Sequence, residues 1–187
     1  MKRVLFLVPL TFLTTVAFAQ QAPQQAPQKV TMVAGWRLEY EYLKSRYTQT
    51  AEAMPAADYA YKPLPTLKTF AQVVGHDVNA QFRQCAMLQG VPNPKAANNF
   101  EKATTKTELI KGLSDSFALC DAAFAAATEQ TLAQFVPQAM HGKAGKREEA
   151  RGLILTEVIR HGSRGHSVMT LYLKLKGLNP PDPDRVY

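Results

Sequence analysis

The chain has 187 residues, of which 46% are hydrophobic, and it has a formal net charge of +7. This length and apolar content suit one domain with a real core, and we expect no second domain. The positive charge is spread along the sequence except for one cluster, and no zinc-finger, RRM or helix-turn-helix pattern accompanies it, so a nucleic-acid-binding module is not indicated. The cluster consists of Lys143, Lys146, Arg147 and Arg151.

The first 19 residues have the three parts of a cleavable secretory signal. A charged start, Met1-Lys2-Arg3, precedes a short apolar run from Val4 to Val16 and an A-x-A ending at Ala19. The apolar run is too short to span a bilayer, although an uncleaved N-terminal anchor stays open as an alternative. We predict cleavage after Ala19, no stable membrane span afterwards, and a periplasmic or secreted protein, an address that disfavours nucleic acid as a partner.

After the signal, the sequence predicts a flexible leader over residues 20–30 and a helical domain over residues 31–187. The leader begins with the low-complexity stretch QQAPQQAPQK. Four later stretches have apolar residues at three- and four-residue steps, and we find no credible strand. The predicted helices run from Thr31 to about Met54, from Thr66 or Thr69 to Gly90, from Thr105 onward, and from about Lys146 to Lys176. The segment ANNFEKA is predicted as a loop, and the fold class as an all-α four-helix bundle with long crossover connections.

The two cysteines, Cys85 and Cys120, fall on the apolar faces of the second and third predicted helices. An oxidising compartment permits them to form a disulfide. Two buried thiols that merely pack are the alternative. The choice depends on whether the two Cα atoms come within about 7 Å of each other.

Two histidines lie where a metal site between facing helices would need them. His161 occupies the apolar seam of the last predicted helix, and His76 lies beside the apolar line of the second. Two inward imidazoles and a third ligand would hold zinc, nickel or iron(II). The alternative is a pair of buried, hydrogen-bonded histidines. A third histidine, His141, is interpreted as an exposed loop residue.

Three segments resemble the signature regions of the DinB-like (DinB/YfiT) superfamily: AEAMPAADYAYKP, FAQVVGHDVNAQFRQCA and LTEVIRHGSRGHSVMTLYLKLKGLNPP. The resemblance covers the chain from Met32 to Pro181 and implies a four-helix bundle. Family members typically bind a divalent metal through one histidine on the second helix and an H-x-x-x-H pair on the last. His76 and His161 match two of these ligands, but Gly165 stands at the third position, so the resemblance implies a degenerate or weakened site.

Two residues are candidates to replace the missing ligand. Glu157 lies four residues before His161 and shares its helix face, although it could instead hydrogen-bond His161 or pair with a cation. His166 points about 140° away from His161 on a regular helix, so it would need a π-bulge near Gly165 to turn inward. Three outcomes stay open: no tight metal site, a weakened site with water or Glu157, and a site that uses His166.

The resemblance leaves three functions open. The first is an exported DinB-like module of unknown physiological role, with an unidentified small-molecule ligand. The second is a metal-dependent transferase or hydrolase, similar to thiol transferases, that uses His76 and His161. The third is a structural protein without catalysis, for which homodimers of this family offer a precedent. The catalytic residues, the substrate and the metal are not indicated by the sequence.

Overall fold

The computed structural model describes residues 29–137 and 148–181. The predicted signal, the leader up to residue 28, His141 and three residues of the basic cluster lie outside these ranges. Within them, no helix combines the length and apolar character that crossing a membrane requires.

Four long helices make up most of the described residues, which confirms the predicted all-α bundle. They are α1 (Met32–Ala53), α2 (Phe70–Gln89), α3 (Lys106–Ala125) and α5 (Arg151–Leu175), and a single turn, α4 (Glu129–Leu132), follows α3. Helix α2 packs against α3 and α5, and α1 also contacts both of these helices. Short 3₁₀ helices occupy Ala56–Asp58 and Phe100–Lys102 in the connections.

Threonine side chains define where three of the long helices begin. Thr31, Thr69 and Thr105 each accept a hydrogen bond from the backbone N–H three residues later, which satisfies a group that the helix leaves unpaired. The second helix therefore starts after Thr69 and not after Thr66. It ends at Gly90, whose φ of 78° is a left-handed conformation that favours glycine.

The crossover to the last helix differs from the sequence prediction in two ways. Residues Phe135–Pro137 (β1) pair antiparallel with Glu148–Ala150 (β2), so the expectation of no strand was wrong. Helix α5 begins at Arg151 and not near Lys146. The physical reason is that the backbone of Glu148–Ala150 makes its hydrogen bonds with β1, so it cannot also supply the first turn of a helix.

The core lies along the bundle axis and is reinforced by one covalent link. Tyr40 stacks on Phe124, with 4.0 Å between the ring centroids, and both side chains are buried. Cys85 of α2 and Cys120 of α3 are joined in a disulfide with 5.0 Å between their Cα atoms. The two cysteines are therefore not separate buried thiols, and helices α2 and α3 are crosslinked through the core.

Candidate metal site

His76 and His161 meet where α2 and α5 face each other. Their rings stack with 5.1 Å between centroids and an interplanar angle of 30°. The His76 side chain is 45% exposed, whereas that of His161 is 17% exposed. The site is therefore open to solvent on the side of His76.

Asp77 places a buried carboxylate beside these two rings. Its Oδ1 atom lies 3.0 Å from Nδ1 of His161, and its Oδ2 atom accepts a 2.5 Å hydrogen bond from the Tyr47 hydroxyl. Burial, followed by the nearby charge of Asp77, raises the pKa of Tyr47 well above its ordinary value. The phenol therefore keeps its proton and donates a hydrogen bond to the carboxylate.

The space that Asp77 occupies exists because residue 165 is glycine. A Cβ atom built on Gly165 would overlap Oδ2 of Asp77. The resemblance to DinB-like proteins placed the third metal-binding histidine at this position. A carboxylate from α2 thus fills the volume that a side chain at position 165 on α5 would otherwise take.

The three side chains together form a donor set that suits a divalent metal. One potential ligand atom each from His76, Asp77 and His161 lies within 4.8 Å of the other two. Two imidazoles and one carboxylate are a common ligand set for zinc and for non-haem iron(II). The residues present therefore fit the metal that the family resemblance implies, with two of the implied ligands, His76 and His161, and with Asp77 in place of the third.

Glu101 orients His76 from the outer side of the site. Nδ1 of His76 lies 2.8 Å from Oε1 of Glu101, and Lys68 pairs with the same carboxylate. Burial alone would raise the pKa of Glu101, but hydrogen bonds from Lys68 and His76 outweigh burial and lower it. With Nδ1–H donating to this anion, Nε2 is the nitrogen of His76 that is left to bind a metal.

The 3₁₀ helix Phe100–Lys102 brings Glu101 to this position. It is attached to α2 by Oδ1 of Asn79, which accepts a 3.0 Å hydrogen bond from the Phe100 N–H. A Cβ on Gly75 would overlap the carbonyl of Phe100, so only glycine lets this backbone approach so closely. The predicted loop is therefore an ordered support of the site.

The two residues considered as replacement ligands lie elsewhere. Glu157 forms two 2.7 Å hydrogen bonds with the Arg160 guanidinium, and Nε2 of His166 lies 3.2 Å from Oγ1 of Thr50. Helix α5 is α-helical from Arg151 to Leu175, without the π-bulge that would turn His166 inward. The structure thus brings together His76 and His161 but neither substitute.

Asp77 and Glu101 are the site residues that sequence reasoning missed. Asp77 had a detectable signal, because it follows His76 directly and shares the apolar face of α2 with Val73, Val74 and Val78. A carboxylate on such a face requires a partner or a ligand. Glu101 had no local signal, because its position depends on contacts with Gly75 and Asn79 on another element.

Comparison with known proteins agrees with this fold. Residues 39–163 match the family model of the DinB superfamily. A DinB-like protein from Bacillus cereus is similar in structure, with a TM-score of 0.65, 16% identity, and coverage of 82% of this chain and 96% of that one. A conserved protein from Enterococcus faecalis has a TM-score of 0.58, 17% identity, and coverage of 77% and 95%, respectively. These identities show a shared fold alone, and no curated protein sequence matches significantly. Because this family model matches more than half of the chain, the chain belongs to the DinB superfamily.

Proposed function

We propose that this protein is an exported DinB-like domain that binds a divalent metal weakly through His76, Asp77 and His161. The observation that supports it is the convergence of these three donors within 4.8 Å, with Asp77 in the space left by Gly165. A metal bound there would lower the pKa of a bound water or thiol, as a hydrolase or thiol transferase requires. The half-exposed His76 leaves the site accessible to a small-molecule substrate.

The weakness of the site follows from the bonds that Asp77 already makes. Its Oδ2 atom accepts a hydrogen bond from Tyr47, and its Oδ1 atom lies 3.0 Å from Nδ1 of His161. A metal that bound through Nδ1 of His161 would have to displace the contact between this atom and Asp77, so part of its binding free energy would be spent on that contact. Glu101 should increase the metal affinity instead, because it holds His76 in the tautomer that leaves Nε2 free to bind a metal.

Export is supported by two independent features. The signal-like segment before Gln20 is the first, and the disulfide between Cys85 and Cys120 is the second. Structural disulfides persist in oxidising compartments and are rare in the cytosol of mesophiles. We propose the periplasm or the exterior as the location of the mature chain.

One observation favours a second candidate function, a ligand-binding module that uses no metal. Asp77 is 3% exposed in its side chain, and each of its oxygens has a polar partner without any metal: Oδ2 accepts a hydrogen bond from Tyr47, and Oδ1 lies 3.0 Å from Nδ1 of His161. A buried carboxylate satisfied in this way is stable by itself. On this account the histidines serve the stability of the bundle, and the protein has no metal-dependent chemistry.

Zinc titration of the processed protein separates the two candidates. The full chain is produced with its signal, purified without a histidine tag or chelator, and titrated together with His161→Ala and the matched variant His166→Ala. We expect one zinc per chain in the unaltered protein and in His166→Ala, and affinity lower by at least about tenfold in His161→Ala. Equal affinity in all three proteins, or no saturable binding by folded protein, would leave the metal-free module as the function.

A further inference from the structure

A second concave site lies on α2, beside the connection to α3. The pocket has a volume of about 370 Å³ and is formed by the outer face of α2 and by residues 93–99. One of its lining residues, Asn79, is one helical turn beyond His76. This volume is at the small end of the range of ligand pockets, about 300 to 1,000 Å³.

Three asparagine oxygens in the pocket wall are already used as acceptors by the fold. Oδ1 of Asn79 accepts from the Phe100 N–H at 3.0 Å, and Oδ1 of Asn93 accepts from the Lys95 N–H at 2.9 Å. Oδ1 of Asn99 accepts from the Asn79 amide at 3.0 Å and from the Glu101 N–H at 3.1 Å. Because a backbone N–H can only donate, these bonds fix which end of each amide is the oxygen.

Most of the groups that remain for a ligand are therefore donors; the exception is the side-chain oxygen of Asn98, which also lines the pocket and accepts no hydrogen bond from a described residue. The amide nitrogens of Asn93 and Asn99 make no hydrogen bond to any described residue, and the pocket also contains the side chains of Arg83 and Lys95. No Asp or Glu is among the described residues that line it, and neither cation forms an ion pair within residues 29–137 or 148–181. Two cations and two amide donors without a counter-charge suit an anion.

Two apolar residues also line the pocket, and of these Phe82 is buried whereas Ala96 is exposed. Phe82 is 3% exposed and stacks against Phe100, with 5.9 Å between the ring centroids, and Ala96 also lines the cavity. We propose that this pocket binds a small organic oxyanion, whose phosphate or carboxylate group meets Arg83 and Lys95 and whose carbon skeleton lies beside Ala96. This site is separate from the candidate metal site, and it does not depend on metal binding.

Amide and side-chain NMR shifts during anion titration test the proposal. The probes are sodium phosphate and sodium malonate, each added to the full processed chain at constant ionic strength, with sodium chloride as the reference. The variants are Arg83→Gln and Lys95→Gln, and Lys174→Gln is the matched control because that exposed lysine does not line the pocket. Circular dichroism verifies that each variant is folded.

We expect saturable shifts of the Asn93 and Asn99 side-chain amides with phosphate, with malonate, or with both, and none with chloride. The dissociation constant should rise about tenfold in Arg83→Gln and in Lys95→Gln and stay unchanged in Lys174→Gln. Saturation by phosphate alone would identify the ligand class as a phosphate ester, and saturation by malonate alone would identify a carboxylate. Shifts that do not saturate, that chloride reproduces, or that both pocket variants retain would overturn the proposal.

Discussion

At the interface between α2 and α5, the Asp77 side chain occupies the space that a side chain at position 165 would need. The carboxylate reaches into space that any side chain at position 165 would fill, and it is held there by Tyr47 and His161. Because protein interiors are closely packed, a carboxylate at position 77 in this conformation requires glycine at position 165. On our proposal, the site is a rearranged version of the metal centre that the family resemblance implies, in which one ligand comes from a different helix.

Coupling between these two positions is the first testable consequence. Gly165→Ala should lower the free energy of unfolding by about 1–3 kcal/mol, because its Cβ overlaps Asp77 and the carboxylate must move. The same change should cost less in an Asp77→Ala background, where that overlap is gone. Urea unfolding of the two single variants and the double variant measures the coupling. Strictly additive changes would show that Asp77 does not occupy this space.

At the residue scale, sequence reasoning located two of the three clustered donors but not the third. His76 and His161 were placed by helix periodicity and by the family register, both of which are local properties. Asp77 was missed because a charged residue on an apolar stripe has meaning only in relation to the residue opposite. That residue, Gly165, lies 88 positions later in the sequence, and only the packed bundle brings the two together.

The 3₁₀ helix Phe100–Lys102 lies in the connection between α2 and α3 and brings Glu101 to His76 of the candidate metal site. Gly75 makes this possible, because it lets the Phe100 backbone approach α2 closely. Gly75→Ala should push the Phe100 backbone away, destabilise the fold by about 1–3 kcal/mol and weaken zinc binding about tenfold or more, because Glu101 no longer orients His76. Thermal unfolding and zinc titration measure the two effects.

Gly35→Ala is the matched control for this glycine substitution. The nearest heavy atom to a Cβ at Gly35 is Cγ1 of Val30 at 3.9 Å, which is ordinary van der Waals contact. Alanine there should leave zinc affinity unchanged and stabilise helix α1 by up to about 1 kcal/mol. If Gly75→Ala lowered stability but left zinc affinity equal to that of the control, Glu101 would have no role in orienting His76.

The disulfide between α2 and α3 closes a long loop of the unfolded chain. Its two cysteines are 35 residues apart, for which chain entropy predicts about 4 kcal/mol of stabilisation. Chemical unfolding with and without a thiol-free reductant measures this contribution, and mass spectrometry verifies reduction. The double variant Cys85→Ala with Cys120→Ala should not respond to the reductant. An unchanged unfolding midpoint in fully reduced protein would contradict the predicted contribution.

At the element scale, the long helices could be predicted and the short elements could not. Capping threonines and apolar periodicity are written in the local sequence, so α1 and α2 were located to within a few residues. The strands β1 and β2 exist because two distant segments pair, and the 3₁₀ helix Phe100–Lys102 depends on Gly75 and Asn79. Non-local hydrogen bonds of this kind leave no periodic pattern.

For the whole molecule, buried tyrosines predict how stability depends on pH. Burial raises the pKa of Tyr40 and of Tyr59, and the hydroxyl of Tyr40 also donates to Asp121 at 2.7 Å. Because the unfolded chain ionises its tyrosines near pH 10 and the folded protein does not, this stabilisation is complete below about pH 10 and decreases above it.

Each of these two tyrosines should lower the free energy of unfolding by about 1.4 kcal/mol per pH unit above pH 10. Urea unfolding between pH 9 and pH 11 measures how steeply the free energy of unfolding falls with pH. In Tyr59→Phe this decrease should be smaller by about 1.4 kcal/mol per pH unit. If tyrosinate absorbance at 295 nm showed both residues ionising near pH 10 in the folded protein, the expected pH dependence would be wrong.

We propose that Asp77 takes the place, as a metal ligand, of the histidine absent from position 165. The most direct measurement is the anomalous difference density of crystals of the processed protein grown with zinc. We expect one zinc peak within bonding distance of Nε2 of His76, the Asp77 carboxylate and a ring nitrogen of His161. A peak at Glu157 or His166, or well-ordered side chains at the site with no peak after zinc saturation, would contradict it.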